Sequence, residues 1–401
     1  MKKIAISLAL ALTLSATSCG LKPLVALPTE EMITDSDTKR SLRLSFGEDE
    51  KLVSALNGFS DATAEILQTS GNVNYSPISL YYALSLAKSG GADDAGLAEL
   101  LGFDSADELA DRLESLHKLL ELTGEYSELG IANSVWSTAG IKADFAKAAA
   151  EKLRAECFES MDAGAMSSWI AEKTRGTLKP KIELVADQML ALLNTVYFKA
   201  EWIDRFNKSA NEQGIFHSPS GDVEATFMKS REIKGFRRGE NFTTAARSFK
   251  DNGYMQIVLP DEGVDIRELI AEQGLTGLLA AGESKSGYVN WYFPKFGFES
   301  EFSLKSLLSD LGAGGLFAEN AGMAKNITDF EPMTLSEIVH GTYIEVDEKG
   351  VTASAYTNLQ YAGSPMPEDE ADMRMDRPFL YAIYYQNVLL FAGIVDDPLA
   401  K

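Results

Sequence analysis

Cysteine is almost missing from this chain: its 401 residues include two, Cys19 and Cys157. A stapled disulfide framework is therefore excluded as the source of stability. Histidine is limited to three, and His117, His217 and His340 stand far apart without metal-ligand spacing. That leaves no basis for a zinc centre, and no metal or cofactor is expected. No G-x-S-x-G elbow and no phosphate-binding loop occur. The S-x-x-K match Ser85-Leu86-Ala87-Lys88 lacks the S-D-N and K-T-G partners of penicillin-binding enzymes, so it reads as chance. Basic charge is short as well, since 37 Lys and Arg face 59 Asp and Glu for a net charge of −22. With no basic stripe carrying interleaved aromatics, nucleic acid is not a partner, and the acidity reads as a solvated surface.

Also lacking are internal repeats, low-complexity stretches and a Pro/Gly/Ser linker that would mark a domain boundary. With 45% hydrophobic residues the chain has enough apolar surface for a large core. One large domain is expected where length alone allows two or three.

The apolar run Ile4 to Leu14 is too short to cross a bilayer. Lys2 and Lys3 precede it and small residues follow, which is the pattern of a secretory signal peptide over residues 1–18. Ala16, Thr17 and Ser18 directly before Cys19 resemble a bacterial lipoprotein box, in which the cysteine is lipidated and becomes the mature N-terminus. An ordinary cleavage site with an incidental cysteine is the other reading. The protein is thus expected to be exported and lipid-anchored to the outer membrane or cell surface, or else secreted. Residues 19–47 are polar, contain Pro23 and Pro28, and read as a tether before a domain over 48–401. Cys157, left without a partner, is expected to be a buried thiol.

Helical spacing of apolar residues runs from Leu52 to Leu67. Ser76-Pro77 suits the start of a second helix that ends at Gly90-Gly91. Further helical runs lie near 93–101, 105–122, 142–153 and 165–174. Strand-like runs are Leu129–Ser137, Met189–Phe198, Tyr254–Pro260, Val289–Phe298, Ile338–Val346, Phe379–Tyr385 and Val388–Val395. Helices crowd the first half and strands the second, which predicts an α+β fold with mostly antiparallel sheets.

Glu348 to Arg377 breaks this pattern, with no helical period and no strong apolar run between two strands. A structureless stretch of this length is usually functional or disordered. Its first part, "EKGVTASAYTNLQYAGS", is rich in small residues and free of proline, so every residue has an N–H to offer a sheet. Its second part, "PMPEDEADMRMDRP", carries prolines and acids and is not expected to pair easily.

Several segments, in order, carry a family resemblance. "NVNYSPISLYYALSLAKSGGADDAGLAELLGF" from Asn72, "LNTVYFKAEW" ending at Trp202, "VLPDE" ending at Glu262 and "PKFGFES" from Pro294 come first. "LKSLLSDLG" from Leu304, "IVHGTYIEVDEKG" from Ile338, "DRPFLYAI" from Asp376 and "LLFAGIVDDP" from Leu389 follow. From about Leu52 to Pro398 the chain resembles a serpin. The resemblance implies three mostly antiparallel sheets, about nine helices, an exposed reactive-centre loop and a monomer. It also implies inhibition of a protease that cleaves the loop, is held as an acyl-enzyme, and is dragged away as the loop inserts into the main sheet. A non-inhibitory serpin acting as a binding protein is the alternative.

The resemblance assigns site residues. The hinge is Glu348, Gly350, Val351, Ala353 and Ala355, where small inward-facing side chains must slip between strands. Val351 departs from the usual threonine or serine, and bulky Tyr356 falls on the outward face. Family spacing puts the reactive bond after Ser364, ahead of Pro365, a residue most serine proteases dislike after the cut. Tyr361, Gly363 and Met366 are competing positions. No Arg or Lys lies near the centre, so elastase-, chymotrypsin-, subtilisin- or papain-like targets fit better than trypsin-like ones. Ser76, Ser79, Asn194 and His340 match the polar cluster beneath the strands that part, and Trp202 matches the aromatic at the top of that sheet. Plain core roles remain open for His340 and Trp202.

Overall fold

The computed structural model describes residues 21–28, 36–184, 188–318, 324–330, 338–351 and 369–400. The first part runs α1 (Ser36–Glu48), α2 (Glu50–Thr63), β1 (Val73–Tyr75), α3 (Pro77–Gly90), α4 (Ala95–Leu101), α5 (Ala106–Leu120), β2 (Leu122–Thr123), β3 (Ser127–Ser137), α6 (Ala143–Lys152), β4 (Ala155–Phe158), α7 (Ala163–Lys173) and β5 (Leu190–Glu201). Next come β6 (Glu212–Ser218), β7 (Gly221–Arg238), β8 (Phe242–Ser248), β9 (Gly253–Pro260), α8 (Ile266–Gln273), α9 (Leu275–Ala280), β10 (Glu283–Pro294) and β11 (Phe296–Ser303). The last part holds α10 (Lys305–Leu308), β12 (Val339–Val346), β13 (Gly350–Val351), β14 (Asp369–Arg374), β15 (Phe379–Tyr385) and β16 (Val388–Val395).

The strands form three sheets, as expected. The largest has the order β1-β16-β15-β9-β8-β7-β10-β14, with β6 on β7. The second is the pair β11-β12, and the third is β13-β5-β3-β2 with β4 also on β3. Among the described residues only β3–β4 and β10–β14 pair in parallel. Local chemistry sets the helix starts. Asp49, Ser76, Asp94, Ser105 and Asp162 each accept a hydrogen bond from a first-turn N–H, satisfying donors the helix leaves open. α3 is apolar nearly all round and buried along its length, so it serves as the axle between β5 and β16. It begins at Ser76-Pro77 and stops at Gly91, whose φ of +115° lies where an L side chain is strained.

The structure departs from the sequence reading in three places. The stretch read as tether contains α1, whose face at Leu42 and Phe46 packs on the core, so only residues ahead of Ser36 precede the helical body. Val289–Phe298 is split, since β10 ends at Pro294 in the large sheet and β11 starts at Phe296 in another. The acidic second half of the long loop contributes β14, paired in parallel with β10 from Gly287↔Asp369 to Tyr292↔Arg374. Its prolines flank the strand, and its pattern alternates: Ala371 and Met373 are buried while Asp369, Glu370, Asp372 and Arg374 face water.

Candidate functional site

β5 and β12 run side by side without a ladder. Their low-numbered ends meet at the start of α3 and their high-numbered ends meet at Trp202, yet each hydrogen-bonds into a different sheet. Among the described residues no ladder joins the two strands, and only Gly350 and Val351 pair with the facing side of β5, so a further strand has a place to enter.

At the lower end, polar side chains bridge the two strands through α3. The Ser76 N–H donates to His340 Nε2 at 3.0 Å, and the Ser76 hydroxyl donates to the Leu390 carbonyl at 2.6 Å. The Ser79 hydroxyl donates to Asn194 Oδ1, and Asn194 Nδ2 donates to Asn133 Oδ1 at 2.7 Å. Asn133 Nδ2 then donates to the Leu153 carbonyl at 3.0 Å. All four expected cluster residues are thus brought together, from β12 through α3 to β5 and on to β3. His340 is buried, and burial pushes its imidazole down to about 4, so it sits neutral with Nε2 as an acceptor. Asn133 was missed by sequence reasoning, although a polar residue inside the apolar strand "GIANSVW" is the signal that could have found it.

At the upper end, Trp202 is fully buried, stacked on Phe249 with ring centres 4.6 Å apart. Its indole N–H donates to the Asp347 carbonyl at 3.1 Å, and its backbone N–H donates to the Lys349 carbonyl at 3.0 Å. Glu348 is held beside it: Asn211 Nδ2 donates to the carboxylate at 2.5 Å, and Lys295 pairs with it at 3.0 Å. Burial pushes this carboxyl up, but its own backbone N–H, Lys295 and Asn211 together hold it below the ordinary carboxylate range. Asp347, also missed from sequence, accepts from the N–H groups of Lys349 and Gly350 at 2.8 and 3.2 Å and closes the turn into β13.

β13 is the hinge itself. Gly350 pairs with Glu201 and Val351 with Ala200, antiparallel to β5. Gly350 has φ +150°, and a Cβ there would meet the Ala200 carbonyl oxygen at 2.2 Å, so only glycine fits this approach. Val351 is buried on the core face. Ala353, Ala355, Tyr361, Gly363, Ser364, Pro365 and Met366 lie outside the described residues, as does Cys19. Cys157 is buried in β4, and burial pushes its thiol up to about 12, which keeps it unreactive.

A sequence model of the family described as Serpin (serine protease inhibitor) matches residues 56–398. Human Serpin B7 is 27% identical over 360 residues, covering 82% of this chain and 94% of that protein. Iripin-1 of Ixodes ricinus is 28% identical over 354 residues, covering 81% and 89%. Among solved structures, the thermophilic serpin tengpin in its native state aligns with a TM-score of 0.78 at 26% identity, over 87% of this chain and 95% of that one. Serpin48 of the insect Tenebrio molitor aligns with a TM-score of 0.75 at 25% identity, over 87% and 99%. The open seam between β5 and β12, the glycine hinge at its top and a family match spanning most of the chain lead to one conclusion: this protein belongs to the serpin family.

Proposed function

We propose that the chain inhibits serine endopeptidases, and papain-like cysteine endopeptidases by the same route, through cleavage and insertion of the loop after Val351. The observation that carries this reading is the seam between β5 and β12, with Gly350 and Val351 already paired at its upper end. Continuing that register puts Ala353 opposite Phe198, Ala355 opposite Val196 and Thr357 opposite Asn194. The first two partners are buried, so small side chains are what the inserted strand needs there. The third brings a hydroxyl to the polar bridge beneath the strands. Serpin loop insertion is itself a standing example of strand addition to an open edge.

The energetics favour insertion once the loop is cut. A solvated segment becomes a paired strand, gaining about 1 kcal/mol per hydrogen bond together with apolar burial. About 14 residues at ~3.3 Å each carry an attached protease roughly 45 Å along β5. Incubation with elastase, chymotrypsin, subtilisin, papain and trypsin tests the reading. An SDS-resistant adduct is expected with one or more of the first four, with mass spectrometry placing the cut between Tyr361 and Met366. Cleavage without any adduct would leave the binding-protein alternative.

We propose further that Cys19 is lipidated and holds the protein on the bacterial outer membrane or cell surface. The support is the small-residue run ahead of Cys19 following a signal-type apolar segment. Expressed with its own leader, the protein is expected in the membrane fraction, and Cys19→Ala should release it or block maturation. Equal solubility of both forms would remove the anchor and leave simple secretion.

A further inference from the structure

The described residues ahead of α1 lie strapped to the body. Pro23, Val25 and Leu27 are half-buried while Leu21, Lys22, Leu24, Ala26 and Pro28 are exposed, the two-residue alternation of an extended segment on a surface. The Leu24 N–H donates to the Cys157 carbonyl at 2.9 Å, on the edge of β4 that β3 does not occupy. The Arg154 guanidinium donates to the Pro28 carbonyl at 3.1 Å, and Val25 packs against the core.

The strap sits at a defined height. Cys157 lies level with Val135, and Val135 with Leu192, whereas the hinge residue Val351 lies level with Ala200. Eight residues of β5 separate these levels, or about 26 Å. Cys19 is five residues from Leu24 and can stand no more than about 17 Å from it. A free tether reaching from Cys19 to α1 would average roughly 23 Å and let the body turn any face to the membrane.

We infer that the strap at residues 21–28 fixes the orientation of the body on a lipid bilayer, with the β4 pole toward the membrane and the hinge pole away from it. This rests on the lipid anchor proposed above. The stretch from 142 to 181, which carries α6, β4 and α7, has eight Lys and Arg against six Asp and Glu. In a chain with a net charge of −22 that stretch is mildly positive, but residues 225–250, around β7 and β8, carry seven Lys and Arg against two Glu, so the orientation rests on the strap and not on charge. The register of β13 on β5 runs the inserting strand from Ala200 toward Leu192, so a trapped protease arrives at the membrane-facing pole.

The test couples the mature chain, starting at Cys19, through that thiol to maleimide lipids in phosphatidylglycerol-containing vesicles. Cys157 is buried and does not compete. Exposed residues Glu159 and Lys349 are replaced, one at a time, by a ketone-bearing amino acid that takes a donor fluorophore, with acceptors in the lipid headgroups. Quenching several-fold stronger at position 159 than at 349 is expected, and equal quenching overturns the orientation. Two variants must abolish the difference without releasing the chain: Val25→Asp with Leu27→Asp, and a Gly-Ser insertion after Gly20 of about 20 residues, averaging roughly 25 Å. A difference that survives the insertion also overturns the role of the strap. Because the anchor is attached chemically, this result is independent of the fractionation of Cys19→Ala, which reads lipidation itself.

Discussion

His340 shows how much one side chain can couple to the seam. Its Nε2 already accepts the Ser76 N–H, so taking up a proton breaks that bond and places a charge in the interior. Burial pushes the folded imidazole down to about 4 from its ordinary 6.5. The neutral ring therefore contributes stability that is fully present above pH 6.5 and is lost as pH falls toward 4. The full effect is about 3 kcal/mol. Urea midpoints measured at pH 7.5, 5.5 and 4.5 should fall more steeply for the parent than for His340→Asn. Parallel falls in the two proteins would show that the carboxylates, not His340, carry the acid sensitivity. Trp202 and Glu348 act at the other end by holding the turn before the hinge, a role that neither indole size nor a carboxylate charge announces on its own.

Among the elements, β13 and β14 define the loop between them. Both pair with the body: β13 ends at Val351 on β5, β14 begins at Asp369 on β10, and residues 352–368 lie outside the described residues. Proline spacing was a poor guide to β14, because Pro365, Pro367 and Pro378 flank the strand and none falls within it. In the proposed inserted strand, the register of β13 would bring Tyr356 opposite Thr195, which is buried, so the ring would have to displace what covers that face. Ala353→Arg tests the register directly. Opposite buried Phe198 an unpaired guanidinium costs several kcal/mol, so insertion slows and the acyl-enzyme hydrolyses first. The variant should be cleaved at an unchanged bond with its adduct yield reduced at least tenfold. Full adduct formation by Ala353→Arg would show that the inserted strand is out of this register.

At the scale of the whole molecule, the proposed mechanism withholds the loop from the seam until it is cut, and that is a statement about stability. Closing the seam with about 14 residues adds on the order of 10 kcal/mol from hydrogen bonds. For a domain of this size the melting temperature should then rise by roughly 14 °C. Limited proteolysis between Asn358 and Met366 followed by calorimetry measures it. Ordinary nicking of an exposed loop leaves the melting temperature unchanged or lower, so the sign of the shift separates an inhibitor from a binding protein with the same fold.

What was legible in the sequence was chemistry that acts over a few residues. Ser76-Pro77 and Gly90-Gly91 delimit α3 because capping and left-handed φ are local properties. The apolar runs Phe379–Tyr385 and Val388–Val395 are β15 and β16 to the residue, since strands buried on both faces need no alternation to be seen. The order of motifs pointed to the family and so to the hinge and the polar cluster. Misread as tether was α1, which lacks an apolar period strong enough to stand out from a polar segment, and missed were β6 to β8, whose outward faces are charged. Nor could any local pattern announce that β5 and β12 lie together unpaired. That arrangement depends on Ser76 and Ser79 at the start of α3 bonding to both strands and on Trp202 and Glu348 tying the upper end, contacts between residues more than a hundred positions apart. Periodicity determines what an element is, and tertiary packing alone decides which edge is left open.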